Sequence, residues 1–228
     1  RKDELVRLSS GEILQKNPWV RCVTLENSGH YAYSPEDMAQ MQKVFAQQLT
    51  DAAARLHCES VLLDFQRAGC DETKVIAKQL TKALPCPVAV SDSYADDLAC
   101  PVFLPPVPPS EAPETWFSPW QGREIWLELA WEGEEITITE LGSSSSPIPY
   151  PAVCHPEFHE ESLFCHYRIL SGEDNIKFLL RRTKEDLSDL LKLAESFGVT
   201  TAVGLYQEFQ QHKNSSSLSL SGGRNYSI

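Results

Sequence analysis

The order of local patterns between residues 19 and 90 constrains the fold more than any other feature of this sequence. Residues 19–25 alternate and are rich in β-forming side chains, which predicts a strand. A Ser-Pro start and apolar side chains at helical spacing predict a helix over 35–57. The short apolar run 61–65 is typical of a strand covered on both faces, and a helix near 71–83 and a strand over 87–90 follow. This alternation indicates right-handed crossovers and a parallel sheet.

The middle of the chain predicts antiparallel structure instead. Residues 101–104 are a predicted strand that enters a proline-rich surface crossing. Alternation over 125–131, a Glu-Gly-Glu turn and alternation over 136–139 predict a β-hairpin. The serines at 143–146 predict a linker or loop.

The last third returns to the βα pattern. A second hairpin is predicted from 163–170 and 176–180. The run 183–186 has the form of a capping box and begins a helix that Gly198 ends. Residues 201–206 are a final predicted strand.

These patterns predict a single domain. Residues 1–18 are polar and weakly patterned, and the tail after residue 212 is rich in Ser and Gly. We therefore expect one α/β barrel-like domain over residues 1–212, with hairpin insertions inside 124–182, and a separate tail over 213–228.

Charge and hydropathy exclude several classes of protein. Twenty Lys and Arg residues stand against thirty-two Asp and Glu residues, a formal net charge of −12. This balance disfavours binding to nucleic acid and to anionic membranes, and no run of about 18 apolar residues could span a bilayer. We expect no nucleic-acid partner, no membrane partner and no cofactor, and the oligomeric state stays open.

The seven cysteines are irregularly spaced and form no CxxC pair. The spacing predicts free thiols in a reducing compartment, and hence a cytoplasmic protein. Cysteines and histidines between residues 154 and 166 could in principle bind zinc or support Cys–His chemistry. Their spacing matches no zinc finger, and Pro156 would interrupt a helix, so we expect no metal site.

Functional side chains are expected where parallel strands end, because in α/β folds ligands bind at the carboxyl edge of the sheet. Position alone selects polar residues after four of the predicted strands, which are Glu26, Asn27, Asp64, Gln66, Asp92, Tyr94, Tyr206 and Glu208. Asp64, Gln66, Glu26 and Glu208 are the candidates for catalysis, and the other four are candidates for substrate binding. The alternative is that these residues only cap loops.

The run 59–66 resembles the active-site strand of family 18 glycoside hydrolases, the chitinase family, whose motif is Asp-Gly-x-Asp-x-Asp-x-Glu. Glu59 falls on the first Asp of that motif, Ser60 on the Gly, Leu62 on the second Asp, Asp64 on the third Asp and Gln66 on the catalytic Glu. The preceding long helix carries a Phe near its middle, as in the family. The resemblance extends over roughly 19–206 and implies a (βα)8-barrel fold, with Tyr206 where the family usually has Trp.

The differences from the family bear on catalysis. The resemblance implies substrate-assisted chemistry in which a Glu protonates the leaving oxygen. An amide such as Gln66 cannot donate a proton as a general acid, and Leu62 lacks the second carboxylate. The first two βα units of the family also have no counterpart in residues 1–18. Three explanations are open: the barrel is incomplete, the chain is truncated, or this alignment with the family is wrong.

Tryptophans crowd the region from 116 to 131, and exposed aromatic rings stack on sugars. Trp116 and Trp120 are therefore further substrate-binding candidates, and the alternative is ordinary packing in the core or as loop anchors, which is the commoner role of such residues.

Three functions remain open. The first is a carbohydrate-binding relative of glycoside hydrolases that is non-catalytic or weakly active, with an oligosaccharide as ligand. The second is an active glycosidase with rearranged carboxylates, for example Glu26 or Glu208. The third is an intracellular interaction or structural protein with no glycan ligand.

The cysteine pattern can be checked directly. Under denaturing conditions without reductant, a thiol titration should count nearly all seven cysteines as free. Three disulfides would contradict the expected reducing compartment.

Overall fold

A computed structural model describes residues 5–9, 12–16, 19–22, 34–65, 71–131, 133–148, 159–161 and 165–210. The described strands are β1 (Leu5–Ser9), β2 (Glu12–Lys16), β3 (Trp19–Cys22), β4 (Ser60–Leu63), β5 (Val88–Ser91), β6 (Val102–Leu104), β7 (Ile125–Leu129), β8 (Gly133–Thr139), β9 (Gly142–Ile148), β10 (His159–Glu161), β11 (Cys165–Ser171), β12 (Ile176–Arg181) and β13 (Val199–Leu205). The helices are α1 (Pro35–Arg55), α2 (Asp71–Ala83), α3 (Pro113–Phe117) and α4 (Lys184–Ser196).

The larger sheet has eight strands in the order β2-β1-β13-β7-β6-β5-β4-β3. The six strands from β3 to β13 run parallel, whereas β1 is antiparallel both to β13 and to β2. This sheet is a curled half-barrel, which confirms a barrel-like α/β fold but not a full (βα)8 barrel. The hairpin β1–β2 occupies the edge of the sheet beside β13, where a complete barrel would continue with βα units.

Helices cover one face of this sheet. Ser34 caps α1 by accepting a hydrogen bond from the Asp37 amide, and Thr183 and Asp186 form the predicted capping box of α4. The buried parts of α1, α2 and α4 join one continuous core with outward-facing strand residues such as Leu63 and Leu127. None of the described helices combines the length and the apolar character needed to cross a bilayer.

The smaller sheet is antiparallel, with the order β10-β11-β12-β8-β9. It lies between β7 and α4 in the chain. The predicted hairpin over 163–180 is confirmed as β11 and β12, which pair from His166 with Arg181 to Ser171 with Ile176.

The predicted hairpin between 125–131 and 136–139 is wrong. The first segment, β7, pairs in parallel with β6 and β13 and is buried along its whole length. The second segment belongs to β8 in the smaller sheet, where it pairs with β9 and β12. Both segments have alternating apolar and polar residues on either side of a turn, yet they belong to different sheets. The reason is that β7 is buried on both faces and therefore lies within the larger sheet.

Two further expectations also differ from the structure. The serines at 143–146 lie in strand β9 rather than in a linker, since their backbone completes the ladder with β8 while their side chains stay exposed. Residues 5–9 and 12–16 form β1 and β2 although their sequence showed little pattern. The tail over 213–228 lies outside the described residues, and the division into domain and tail stays a prediction.

Polar side chains tie the N-terminal hairpin to the start of β4. Glu59 accepts hydrogen bonds from Arg7 Nη2 at 3.0 Å and from Gln15 Nε2 at 2.6 Å. These donors, first Gln15 and then Arg7, hold the pKa of Glu59 below its usual value. The contacts join β1 and β2 to the opposite side of the half-barrel.

Two glycines with positive φ provide a matched test of the packing. Gly198 (φ +101°) ends α4, and a Cβ there would lie 2.7 Å from the backbone oxygen of Arg123, whereas at Gly122 (φ +86°) a Cβ would meet nothing within 4 Å. We expect Gly122→Ala to lower the free energy of unfolding by about 1 kcal/mol through backbone strain alone. Gly198→Ala should lose about 1 to 3 kcal/mol more, because a backbone oxygen cannot rotate away. Urea unfolding of both variants measures the difference, and equal losses would contradict this packing.

Candidate functional site

The inner face of the half-barrel carries an apolar cluster with charged side chains beside it. The cluster consists of Leu5, Leu62, Ala89, Phe103, Trp126 and Val203. Side chains alternate along a strand, so residues two positions away from these share the inner face. That rule places Asp64, which follows β4, and Glu128, on β7, on the inner face. Arg21 of β3 pairs with Leu62 of β4 and therefore shares this face.

One guanidinium joins two carboxylates on this face. Arg21 donates to Asp64 Oδ2 through Nε at 2.8 Å and through Nη2 at 2.5 Å. The same guanidinium donates to Glu128, from Nη1 to Oε1 at 3.2 Å and from Nη2 to Oε2 at 3.2 Å. We call these three residues the Arg21 network. Since β4, β5 and β6 separate β3 from β7 in the sheet, the guanidinium spans the inner face.

The network is largely shielded from water. The exposed fractions of the side chains are 19% for Arg21, 17% for Asp64 and 9% for Glu128. Burial alone would lower the pKa of Arg21, but the attraction of Glu128 and Asp64 and their hydrogen bonds outweigh it and leave its pKa above the ordinary value. The guanidinium carbon also lies 5.5 Å from the centre of the Phe103 ring, a cation–π contact. Arg21 is therefore a permanent cation shared by two acids.

Of the predicted catalytic residues that the structure describes, Asp64 belongs to this network. Glu208 is next to the barrel core, where its Oε2 accepts a hydrogen bond from the Trp131 amide at 3.3 Å. Gln66, Glu26 and the substrate-binding candidate Asn27 lie outside the described residues, so their roles stay predictions.

The candidates near the ends of β5 and β13 have other contacts. Tyr94 is buried, and its hydroxyl donates to the Leu63 carbonyl at 2.8 Å and accepts from the Phe65 amide at 2.6 Å. Tyr94 thus fixes the backbone on either side of Asp64. Asp92 accepts from the Ser91 hydroxyl at 3.1 Å, and the Tyr206 hydroxyl accepts from Lys16 Nζ at 2.6 Å.

The tryptophans do not form one surface. Trp126 lies in the inner cluster, whereas Trp116, Trp120 and Trp131 pack with the helix-facing core. Trp116 donates its indole N–H to the Pro105 carbonyl at 3.2 Å, and Arg123 lies 5.4 Å above the Trp120 ring. Substrate binding by Trp116 and Trp120 stays a prediction, with no support from the Arg21 network.

Arg21 and Glu128 were missed at the sequence level, although a signal was present. Arg21 is the one charged residue of β3, and Glu128 is the one charged residue of β7. The other residues of both strands are apolar. A charge in a buried strand needs a partner, because an unpaired charge is costly to bury. Two such strands with opposite charges therefore indicate an ion pair.

The part of the chain that the structure describes contains no group of three or more His, Cys, Asp or Glu side chains arranged to hold a metal ion. The Cys and His residues between 154 and 158 are outside that part.

Comparison with known proteins gives a fold but no family. No protein-family model and no curated protein matches the sequence. The structure is similar to YdhD, a candidate sporulation-specific glycosylase of Bacillus subtilis, with a TM-score of 0.58 and 11% identity over 88% of this chain and 95% of that one. It is also similar to the spore cortex-lytic enzyme SleL of Bacillus megaterium QM B1551, with a TM-score of 0.55 and 11% identity over 84% of this chain and 56% of that one. At this identity the likeness defines a glycosidase-like fold.

The Arg21 network predicts an unequal response to removing charges. Arg21→Met should lower the free energy of unfolding by about 3 kcal/mol, because it leaves two carboxylates facing each other without a cation. Adding Asp64→Asn and Glu128→Gln should recover part of that loss, since the unpaired charges are then gone.

Lys192→Met is the matched control. Lys192 forms an exposed ion pair with Asp189 at 2.7 Å, and its loss should change stability by less than about 0.5 kcal/mol. Urea unfolding at neutral pH compares the three variants with the wild type. A loss for Arg21→Met as small as that of the control would show that the network is not a buried ion pair.

Proposed function

We propose that this protein is a carbohydrate-binding domain built on a glycoside-hydrolase-like half-barrel, with little or no hydrolytic activity. The observation that carries the proposal is the Arg21 network at the carboxyl end of the parallel strands, where α/β folds bind ligands. The glycosidase-like fold of the structural neighbours supports a glycan as the ligand class.

Asp64 is the residue best placed to contact a sugar. It follows β4 directly, on the inner face, and its side chain keeps 17% of its surface exposed. Both hydrogen bonds from Arg21 end on Oδ2, so Oδ1 accepts none from Arg21. A fixed carboxylate oxygen of this kind can accept hydrogen bonds from sugar hydroxyl or amide groups.

The chemistry of the site argues against efficient hydrolysis. A glycosidase needs a carboxylic acid that remains protonated until it donates to the leaving oxygen. Asp64 and Glu128 both accept hydrogen bonds from the Arg21 guanidinium, so their oxygens act as acceptors, whereas a general acid must act as a donor. The resemblance puts an amide, Gln66, at the position of the general acid, and Leu62 at the second acidic position is fully buried.

One observation favours a second candidate, an active glycosidase with a rearranged pair of acids. Asp64 Oδ2 and Glu128 Oε2 both contact Arg21 Nη2, which brings these two oxygens within about 6 Å of each other. This upper limit is compatible with the separation of about 5 to 5.5 Å between the two acids of retaining glycosidases. For catalysis the Arg21 guanidinium would have to leave the space between them.

Binding and turnover together test the proposal. Chitin oligosaccharides and purified spore cortex serve as probes in calorimetry and in pull-down, and aryl glycosides of N-acetylglucosamine report turnover. We expect wild-type binding, negligible turnover, and at least a tenfold weaker affinity in Asp64→Asn, about the effect of losing a hydrogen bond to a charged group. Asp96→Asn, an exposed aspartate on a loop, is the matched control and should bind as the wild type does.

Each other outcome selects a different function. Robust turnover that survives Gln66→Ala but is lost in Glu128→Gln would establish the rearranged acid pair. Weak turnover gained only in Gln66→Glu would support the family alignment and the missing general acid. Neither binding nor turnover would overturn the proposal and leave the interaction or structural protein as the function.

A further inference from the structure

The outer half of the smaller sheet presents an apolar face. Ile138 on β8 lies directly opposite Ile176 on β12, and Ile169 on β11 shares their face of the sheet. Their exposed fractions are 42%, 44% and 48%. We call these three residues the isoleucine face. Three large β-branched side chains in adjacent strands form a contiguous patch, unlike single exposed apolar residues, which are common.

The inner half of the same face is covered by the barrel. Along β12 and β11 the residues that share this face become buried, with Leu180 8% exposed and Cys165 fully buried. Arg182, next in the same alternation, donates to the carbonyls of Val107 and Pro108 in the proline-rich crossing. One face of the smaller sheet is therefore packed against the barrel along its inner half. The isoleucine face is the outer half of that same face, which the barrel's described residues do not cover.

Acidic residues lie at one end of the isoleucine face. Glu140 lies in the turn between β8 and β9, and Glu173 and Asp174 lie in the turn between β11 and β12, all exposed. The nearest lysine on these strands, Lys177, alternates onto the opposite face, where it donates to Glu135 at 2.8 Å. The patch thus combines an apolar centre with a negatively charged end.

We propose that the isoleucine face docks a basic amphipathic helix of another protein. An apolar stripe on the helix would pack across β8, β12 and β11, and flanking Lys or Arg side chains would face the acidic turns. A second copy of this chain fits poorly, because it would bring the same acids against each other in a protein of net charge −12. Anionic lipid is disfavoured for the same reason.

The size of the patch fits a transient contact. Its exposed apolar area is on the order of a few hundred Å², below that of a stable protein interface. Binding is therefore expected in the micromolar range and should depend on salt, since the charges lie in exposed turns.

The test uses the full chain and two synthetic helical peptides that are identical except for charge, with Leu on one face and either Lys or Glu on the other. Fluorescence anisotropy should detect the Lys peptide with a dissociation constant of about 10 to 100 μM at low salt, and the Glu peptide should not bind. Ile138→Thr with Ile176→Thr keeps β-branched side chains and should weaken binding of the Lys peptide at least tenfold. Glu140→Lys with Asp174→Lys should weaken it several-fold.

A control variant separates this surface from general attraction between opposite charges. Leu14→Thr changes an apolar residue that is 64% exposed on β2, and it should leave binding unchanged. Circular dichroism and thermal melting confirm that each variant is folded. Equal binding by the isoleucine variants and the wild type, or no binding of the Lys peptide, would overturn the proposal. Self-association that Ile138→Thr abolishes, measured by sedimentation, would overturn it in favour of a second copy of the chain.

Discussion

The Arg21 guanidinium is the contact on which the inner face of the half-barrel depends. Two carboxylates lie within hydrogen-bond distance of it. Asp64 follows the neighbouring strand β4, and Glu128 is on β7, which three other strands separate from β3 in the sheet. Without the cation those acids would repel each other in a largely dry environment. The ion pair therefore links β3 to β7 across the face and leaves Asp64 in a fixed orientation at the edge where a ligand would enter. The same contact engages both acids as hydrogen-bond acceptors.

The N-terminal hairpin β1–β2 covers the strand edge that a shortened barrel leaves open at β13. A half-barrel that ended at β13 would expose the edge of that strand, and exposed edges invite pairing with other chains. Strand β1 covers this edge in the antiparallel direction, from Leu5 opposite Leu205 to Leu8 opposite Ala202. Glu59 then holds β1 and β2 through Arg7 and Gln15, so two short strands replace the support that βα units give in a complete barrel.

Local signals in the sequence predicted those elements that bury one face, because the spacing of their apolar residues then matches the period of the helix or strand. The helix over 71–83 and the hairpin β11–β12 are examples, since helical spacing and alternation arise from a single buried face. The hairpin assigned to β7 and β8 failed because alternation shows that a segment is a strand but not which strand it pairs with. Asp64 was found by its position after a buried strand. Its partners Arg21 and Glu128 lie far apart in the chain, and only the curvature of the sheet brings them together.

The direction of β1 has a consequence for how the domain connects to other polypeptide. Because Leu5 pairs with Leu205 in an antiparallel register, the N-terminal end of β1 lies at the same edge of the sheet as the carboxyl ends of the parallel strands. In a complete barrel with parallel strands, the chain would instead enter at the opposite edge. A module fused ahead of Leu5 would therefore be tethered beside the carboxyl ends of the parallel strands and held there at high effective concentration. An affinity tag is consequently better attached elsewhere when ligand entry is measured.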